Sequence, residues 1–213
     1  MSAKTPSDIR AAVLKAALPE IERDGFNESV LARAGKKAGF KPIEVNSAFP
    51  HGAASLVEEF SSHADAKMTA RMKSSKEKGM TARITAAVRA RIEAMSPYKE
   101  AARRAAAFLA LPNHAPLGAK LLYRTVDAIW RAAGDRSTDF SFYTKRATLS
   151  AVYGATVLYW LGDESEDAEA TWKFLDHRIK DVMSFEKFKK SAREAMEKLP
   201  DPFGLFSGSR NTR

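Results

Sequence analysis

The sequence predicts an all-α fold of about ten helices, with a helix-turn-helix near the N-terminus and an amphipathic helix near the C-terminus. Three observations carry this. Apolar residues recur at three- and four-residue intervals from Ile9 to Leu199, with no strand-like alternation of any length. Glycine and proline fall between these stripes, at Gly25, Gly39, Pro50, Gly79, Pro97, Pro112 and Gly134, where helices stop or start. The run Ala147 to Gly162 holds 16 residues without a charge; on a helix it extends ~24 Å and falls short of a ~30 Å hydrocarbon core. Diluted by Thr148, Ser150, Gly154 and Thr156, it predicts the central buried helix of a globular domain, not a membrane span.

The elements follow in order. A first helix begins after Ser7 or Asp8, either of which can cap it, and carries Ile9, Val13, Ala16, Ala17 and Ile21; Pro19 kinks or ends it. Asn27 caps a second helix with Leu31, Ala34 and Ala38 inward, stopped by a left-handed Gly39. Pro42 opens a short third helix to Phe49, completing a helix-turn-helix. A fourth runs from Ala53 to Lys73 on Leu56, Val57, Phe60, Ala64, Met68 and Met72. The fifth turns Met80, Ile84, Val88, Ile92 and Met95 inward and sets Arg83, Arg89 and Arg91 around its flanks. An Ala-rich helix, Tyr98 to Leu111, leads through a turn to the stripe Leu117, Leu121, Leu122, Val126, Ile129 and Trp130, then to the central helix. Ala170 to Met183 carries Trp172, Leu175, Ile179 and Val182, and Ser184 to Leu199 forms the last stripe. Three regions result: 1–52, helix-turn-helix-like; 53–183, the helical body; 184–213, amphipathic helix and tail.

Composition narrows the chemistry. The chain has 213 residues and no cysteine, which excludes disulfides, thiolate metal sites and a thiol nucleophile. It has no Gly-rich phosphate loop or dinucleotide fingerprint. Glu59 and His63 share a helix face, but no second pair completes a metal site, and a di-iron bundle needs carboxylates from four helices. The residues predict a protein that binds rather than catalyses, with no catalytic residue, no metal and no cofactor. The formal charge is +9, with eleven basic residues against three acids from Lys67 to Arg104. That stretch is either a solvated surface or an attractor of anionic lipid or nucleic acid. Neither a signal peptide nor an Arg-rich transit segment is visible.

The central stretch carries a resemblance. Asp127 to Thr156 holds the phrase DxIWxxAGDxSTDxxxYTKRxxLxxVYxxT, Thr171 to Met183 reads TWKFLDHRIKDVM, and Phe49-Pro50 is followed by Gly52 and Leu56-Val57. This resembles the accessory lipid-binding family of ubiquinone (coenzyme Q) biosynthesis, the ninth member of the coenzyme Q series, over about Ile9 to Met183. The resemblance implies a Tet-repressor-like fold, no activity of its own and a bound isoprenoid or quinone lipid. It also implies a partner, the di-iron demethoxyubiquinone hydroxylase, and a membrane-seeking terminal helix. It places the protein in the cytoplasm as a peripheral membrane protein if bacterial, or on the mitochondrial matrix side if a trimmed eukaryotic chain.

Candidate residues follow. Leu109, Leu121, Leu122, Ile129, Trp130, Val152, Tyr153, Val157 and Trp160 are expected to line an elongated lipid pocket. Asp139, Phe142, Tyr143, Lys145 and Arg146 match the motif at the start of the central helix and suit a hydroxylase-binding surface, since aromatic residues and Arg dominate such sites. Phe185, Phe188, Lys189 and Met196, on a helix with five basic residues and three acids, are expected to meet a membrane surface. The alternative is a ligand-responsive Tet-repressor-family DNA-binding regulator. Its third helix offers Asn46 and Ser47, but Glu44 repels the DNA backbone, which argues against DNA as a partner. A homodimer is compatible with either reading.

Overall fold

The computed structural model describes residues 5–135 and 140–182. Among them every regular element is helical. Helix α1 (Pro6–Asp24) is capped by Thr5: its Oγ1 accepts from the Asp8 amide at 3.2 Å, and the Asp8 carboxylate accepts from the Thr5 amide at 3.0 Å. The cap is therefore Thr5, with Asp8 as its reciprocal partner, not Ser7 or Asp8 itself. Nor does Pro19 end the helix, which continues to Asp24 because Leu18 and Ile21 are buried on either side of it. Gly25, at φ 76°, makes the stop.

Helices α2 (Glu28–Lys37) and α3 (Pro42–Ala48) form the helix-turn-helix. Asn27 caps α2 as its side chain predicts, accepting from the Val30 amide at 2.9 Å. The two helices meet where Gly35 faces Val45; a Cβ at Gly35 would sit 2.5 Å from a Val45 methyl. Two side chains tie this unit to the body. Arg10 of α1 donates to the Ala48 and Ser55 carbonyls and to Glu59, at 2.6–3.2 Å. Glu28 of α2 accepts from the Ala53 amide at 2.8 Å and so caps α4.

The body comprises α4 (Ala53–Lys73), α5 (Met80–Met95), α6 (Lys99–Ala110), α7 (Ala115–Ala133), α8 (Phe140–Gly162) and α9 (169–182), with single 3₁₀ turns at Ser96–Tyr98, Pro112–His114 and Glu166–Ala168. Helix α4 packs on α5 and α7, and α7 also on α5 and α8. The bounds of α4 and α5 are those the sequence predicts. Met80, expected inward, is exposed, while Arg91, expected on a flank, is 4 % exposed and lies in the core.

Most of the basic stretch lies at the surface, with Arg91 buried and Arg83 and Lys99 half-buried, yet several of its cations reach back to the fold. Arg83 donates to the Ala132 and Ala133 carbonyls at the end of α7, at 3.0 and 2.7 Å. Arg103 donates to the Leu161 carbonyl at 2.6 Å, and Lys99 to the Asp163 carbonyl. These cations satisfy and neutralise helix C-termini. Arg71 and Arg89 both pair with Glu93.

Helix α8 departs from the buried helix expected. Leu149, Val152, Tyr153, Thr156 and Trp160 are buried, but Ala147, Ala151, Leu158 and Tyr159 are exposed. Absence of charge permits burial without dictating it; the neighbours α6 and α7 cover only one face.

Candidate functional site

Five helices enclose a cavity of about 250 Å³. The space is left by small side chains: Ala102, Ala105 and Ala106 on α6, Gly118 on α7 and Gly154 on α8. A Cβ added at Gly154 would meet nothing within 4 Å. Val57 and Phe60 of α4 and Met95 of α5 form part of the apolar wall. Leu109, Leu121, Leu122, Tyr153 and Val157, named from sequence, line it as well.

One corner of this cavity is polar. Arg91 Nε donates to Asp65 Oδ1 at 2.6 Å, Nη2 donates to Ser61 Oγ at 3.0 Å, and Nη1 donates to the Tyr153 hydroxyl. Thr125 Oγ1 completes the group by donating to Asp65 at 3.1 Å. Arg91 and Asp65 neutralise one another, which is what makes a buried guanidinium tolerable. Burial, reinforced by Asp65 and opposed by Arg91, pushes the Tyr153 phenol up to about 12, so it remains protonated at neutral pH.

A second apolar cavity, of about 380 Å³, lies between α5, α7, α8 and α9. Trp130 and Val152 of the expected lipid set line this one, with Ile84, Leu149, Ile179 and Val182. Ile129 and Trp160 line neither; both are fully buried core residues. The expected set thus falls into residues of the first cavity, residues of the second and core residues that line neither.

At the start of α8, Phe142, Tyr143, Lys145 and Arg146 come together as expected, while Asp139 lies outside the described residues. Their roles differ. Tyr143 is 68 % exposed and stands edge-on to Phe142, ring centroids 5.2 Å apart. Arg146 is buried and takes Asp127 of α7 through Nε and Nη2 at 2.8 and 2.7 Å, its guanidinium stacked 3.3 Å over Phe142. Lys145 reaches Asp135 at 3.1 Å. Phe185, Phe188, Lys189 and Met196, the expected membrane contacts, all lie outside the described residues.

Sequence reasoning missed Arg91, Asp65, Ser61 and Thr125. The signal was present: Arg91 stands seven residues after Ile84 and four before Met95, on the inner stripe of α5, and Ser61 and Asp65 continue the Val57 face of α4 at four-residue steps. Polar residues on an inward stripe mark a buried network.

The fold is that of a Tet-repressor-class helical protein, here with an apolar cavity and a single polar corner inside its body. A solved TetR transcriptional regulator from Nitrosomonas europaea superposes with a TM-score of 0.65 at 20 % identity, covering 81 % of this chain and 96 % of that one. At that identity the likeness speaks for fold alone. Residues 115–186 match the COQ9 family model. The chain is 34 % identical over 190 residues to the mitochondrial ubiquinone biosynthesis protein COQ9 of Xenopus tropicalis, covering 85 % of this chain and 60 % of that one. It is 32 % identical over 196 residues to the human COQ9, with 88 % and 61 % covered. The stretch 115–186 is thus similar to the COQ9 domain, and the resemblance read from the central stretch is matched by these comparisons. It spans about three fifths of the length of the curated relatives it matches.

Proposed function

We propose that this protein serves ubiquinone biosynthesis as a lipid-binding accessory factor. It holds an isoprenoid or quinone lipid within its helical body and presents it to the demethoxyubiquinone hydroxylase, without chemistry of its own. The observation that carries the reading is the apolar cavity of about 250 Å³, walled in part by α7 and α8 of the matched domain. A dry cavity of ~150 Å³ suffices for benzene, so this one has room for a substituted ring. A long prenyl tail exceeds it and needs further cover, because exposing each CH₂ to water costs ~0.8 kcal/mol. Exposed Leu158 at the cavity lip, or a bilayer surface met by the sequence beyond residue 182, can supply that cover.

The start of α8 is the docking surface in this reading. Exposed Tyr143 provides the aromatic contact, and Arg146 fixes the helix that presents it. Among the described residues no helix is long and apolar enough to cross a membrane, so membrane attachment is assigned to the basic amphipathic stretch Ser184 to Leu199. Mass spectrometry of lipids extracted from the purified protein tests the reading. A prenylated quinone or its precursor in near-stoichiometric amount is expected. Protein that yields no isoprenoid lipid, and takes none up from vesicles containing one, overturns it.

A further inference from the structure

The 250 Å³ cavity is not uniformly apolar, and its one polar corner has a definite chemistry. Tyr153 and Ser61 each accept a hydrogen bond from the Arg91 guanidinium. A hydroxyl that accepts still has its own hydrogen to give. Among the described residues neither the Tyr153 nor the Ser61 hydrogen has an acceptor, although both side chains line the cavity and Tyr153 is only 6 % exposed. The Thr125 hydroxyl, by contrast, is engaged by Asp65. Two O–H donors therefore converge on one end of the space, both polarised by the cation behind them. Hydrogen bonds left unmade in a buried site are costly, so a ligand that offers an acceptor there gains and one that does not loses.

Charge selects among acceptors. The Arg91 guanidinium is already matched by the Asp65 carboxylate at 2.6 Å. The corner carries donors but no net positive charge, so an anionic head would bring an uncompensated charge into a low-dielectric site. Shape sets the direction of entry. Arg91, Thr125 and Tyr153 are buried, whereas Leu158 on the same cavity is 68 % exposed and marks its mouth.

We infer that the corner formed by Tyr153, Ser61 and Arg91 receives a neutral carbonyl oxygen, of the kind a quinone ring bears, from the Tyr153 and Ser61 hydroxyls. The cargo enters ring first, and its tail leaves past Leu158. This rests on the lipid-cargo reading and adds to it the class of head group and its orientation. The high phenol pKa of Tyr153 agrees, since only the protonated form donates.

Calorimetric titration of the full chain tests it with three probes: a benzoquinone bearing one prenyl unit, limonene as a ring-sized hydrocarbon, and oleate as an anionic lipid. Tyr153→Phe and Ser61→Ala each remove only a hydroxyl, and thermal melting establishes that each variant is folded. Each is expected to weaken quinone binding roughly three- to tenfold and to leave limonene binding unchanged, and the parent is expected to prefer the quinone to oleate. Equal losses for quinone and limonene, or no loss of quinone binding in either folded variant, overturn the head-group assignment while leaving the cargo reading in place. Oleate bound more tightly than the quinone overturns the neutral-acceptor assignment. A parent that binds neither quinone nor limonene sinks the cargo reading itself, and this inference with it.

Discussion

Buried Arg146 of α8 and half-buried Asp127 of α7 form an ion pair, with Nε and Nη2 both on one carboxylate oxygen at 2.8 and 2.7 Å. Asp127 also holds Arg131 at 2.6 Å, and Asp135 lies 3.6 Å from Arg146. The pair joins the two helices across a connection of which residues 136–139 lie outside the described set. Removing one partner of such a pair strands the other's charge, at about 3–5 kcal/mol. Asp127→Ala is expected near the lower figure, since Asp127 is partly exposed and Asp135 remains close to Arg146. A fall in melting temperature of roughly 6–12 °C follows for a chain of this size. A shift under 2 °C, about what 0.5 kcal/mol gives, would mean that the pair does not hold α8 in place.

Phe142 and Tyr143 separate experimentally because they face different ways. Phe142 lies under the Arg146 guanidinium, whereas Tyr143 points outward. Tyr143→Ala is expected to change stability by no more than about 0.5 kcal/mol and to weaken hydroxylase binding roughly tenfold or more, as loss of an aromatic anchor does. Phe142→Ala is expected to lower the melting temperature as well. Surface plasmon resonance with immobilised hydroxylase, paired with thermal melting, checks both. Undiminished binding by Tyr143→Ala places the interface elsewhere.

Gly154 is the position at which the proposed cargo and stability can be tested against each other. It sits within α8 with open space where a Cβ would go. Gly154→Ala is expected to stabilise the chain by up to ~1 kcal/mol, the helix-propensity difference. Gly154→Trp instead fills the cavity and is expected to abolish most lipid co-purification while the chain stays folded. If that variant carries as much quinone-like lipid as the parent, the cargo occupies other space, with the Trp130 and Val152 cavity the next to test.

Much of the fold was legible because its signals are local. Gly52 and Gly79 precede α4 and α5 at positive φ, and both helices begin and end where periodicity and punctuation place them. Pro19 lies inside α1, where one lost backbone bond is outweighed by the burial of Leu18 and Ile21 around it, and the helix closes at Asp24 and Gly25. Which residues of the expected lipid set face a cavity was only partly legible. Periodicity identifies an inward face, and Trp160 and Leu121 satisfy it equally, yet Trp160 fills core and Leu121 faces empty space. That difference depends on how five helices cross, which no single stripe encodes. Arg91 was misread by its charge: on phase it belongs inside, and its partners Asp65, Ser61 and Tyr153 come from other helices.

Helix α3 presents Pro42, Ile43, Glu44, Asn46 and Ser47 to solvent. Glu44 is engaged at its own helix start, accepting from the Lys41 amide at 2.7 Å, and Ile43 is 73 % exposed. A carboxylate and an isoleucine on the outer face suit neither phosphate contacts nor base-edge hydrogen bonds. DNA binding is expected to be weak, indifferent to sequence and steeply reduced by salt. Fluorescence anisotropy over a salt series checks this. A footprint on a defined palindrome at physiological salt would instead favour the regulator.

Asp163 predicts how the protein responds to acid. Its carboxylate accepts from the Ser165 amide at 2.8 Å and from the Thr171 amide and hydroxyl at 2.8 and 2.5 Å. It thereby holds a turn in which Asp167 and Ala168 take positive φ of 49° and 57°, a strained conformation for residues with a Cβ. Burial alone raises the carboxyl, but the hydrogen bonds from Thr171 and Ser165 outweigh it and hold the group well below the usual carboxylate range of 3.8. A depressed folded value means the contribution is fully present above the unfolded value and is lost as pH falls through the folded one. Asp163→Ala is therefore expected to cost about 1–3 kcal/mol at neutral pH, and its deficit relative to the parent should shrink only once pH drops below 3.8. Urea unfolding of both proteins across the acid range measures the difference. A deficit that stays constant down to the most acidic pH at which the parent remains folded would show that the ionised carboxylate is not what holds the turn between α8 and α9.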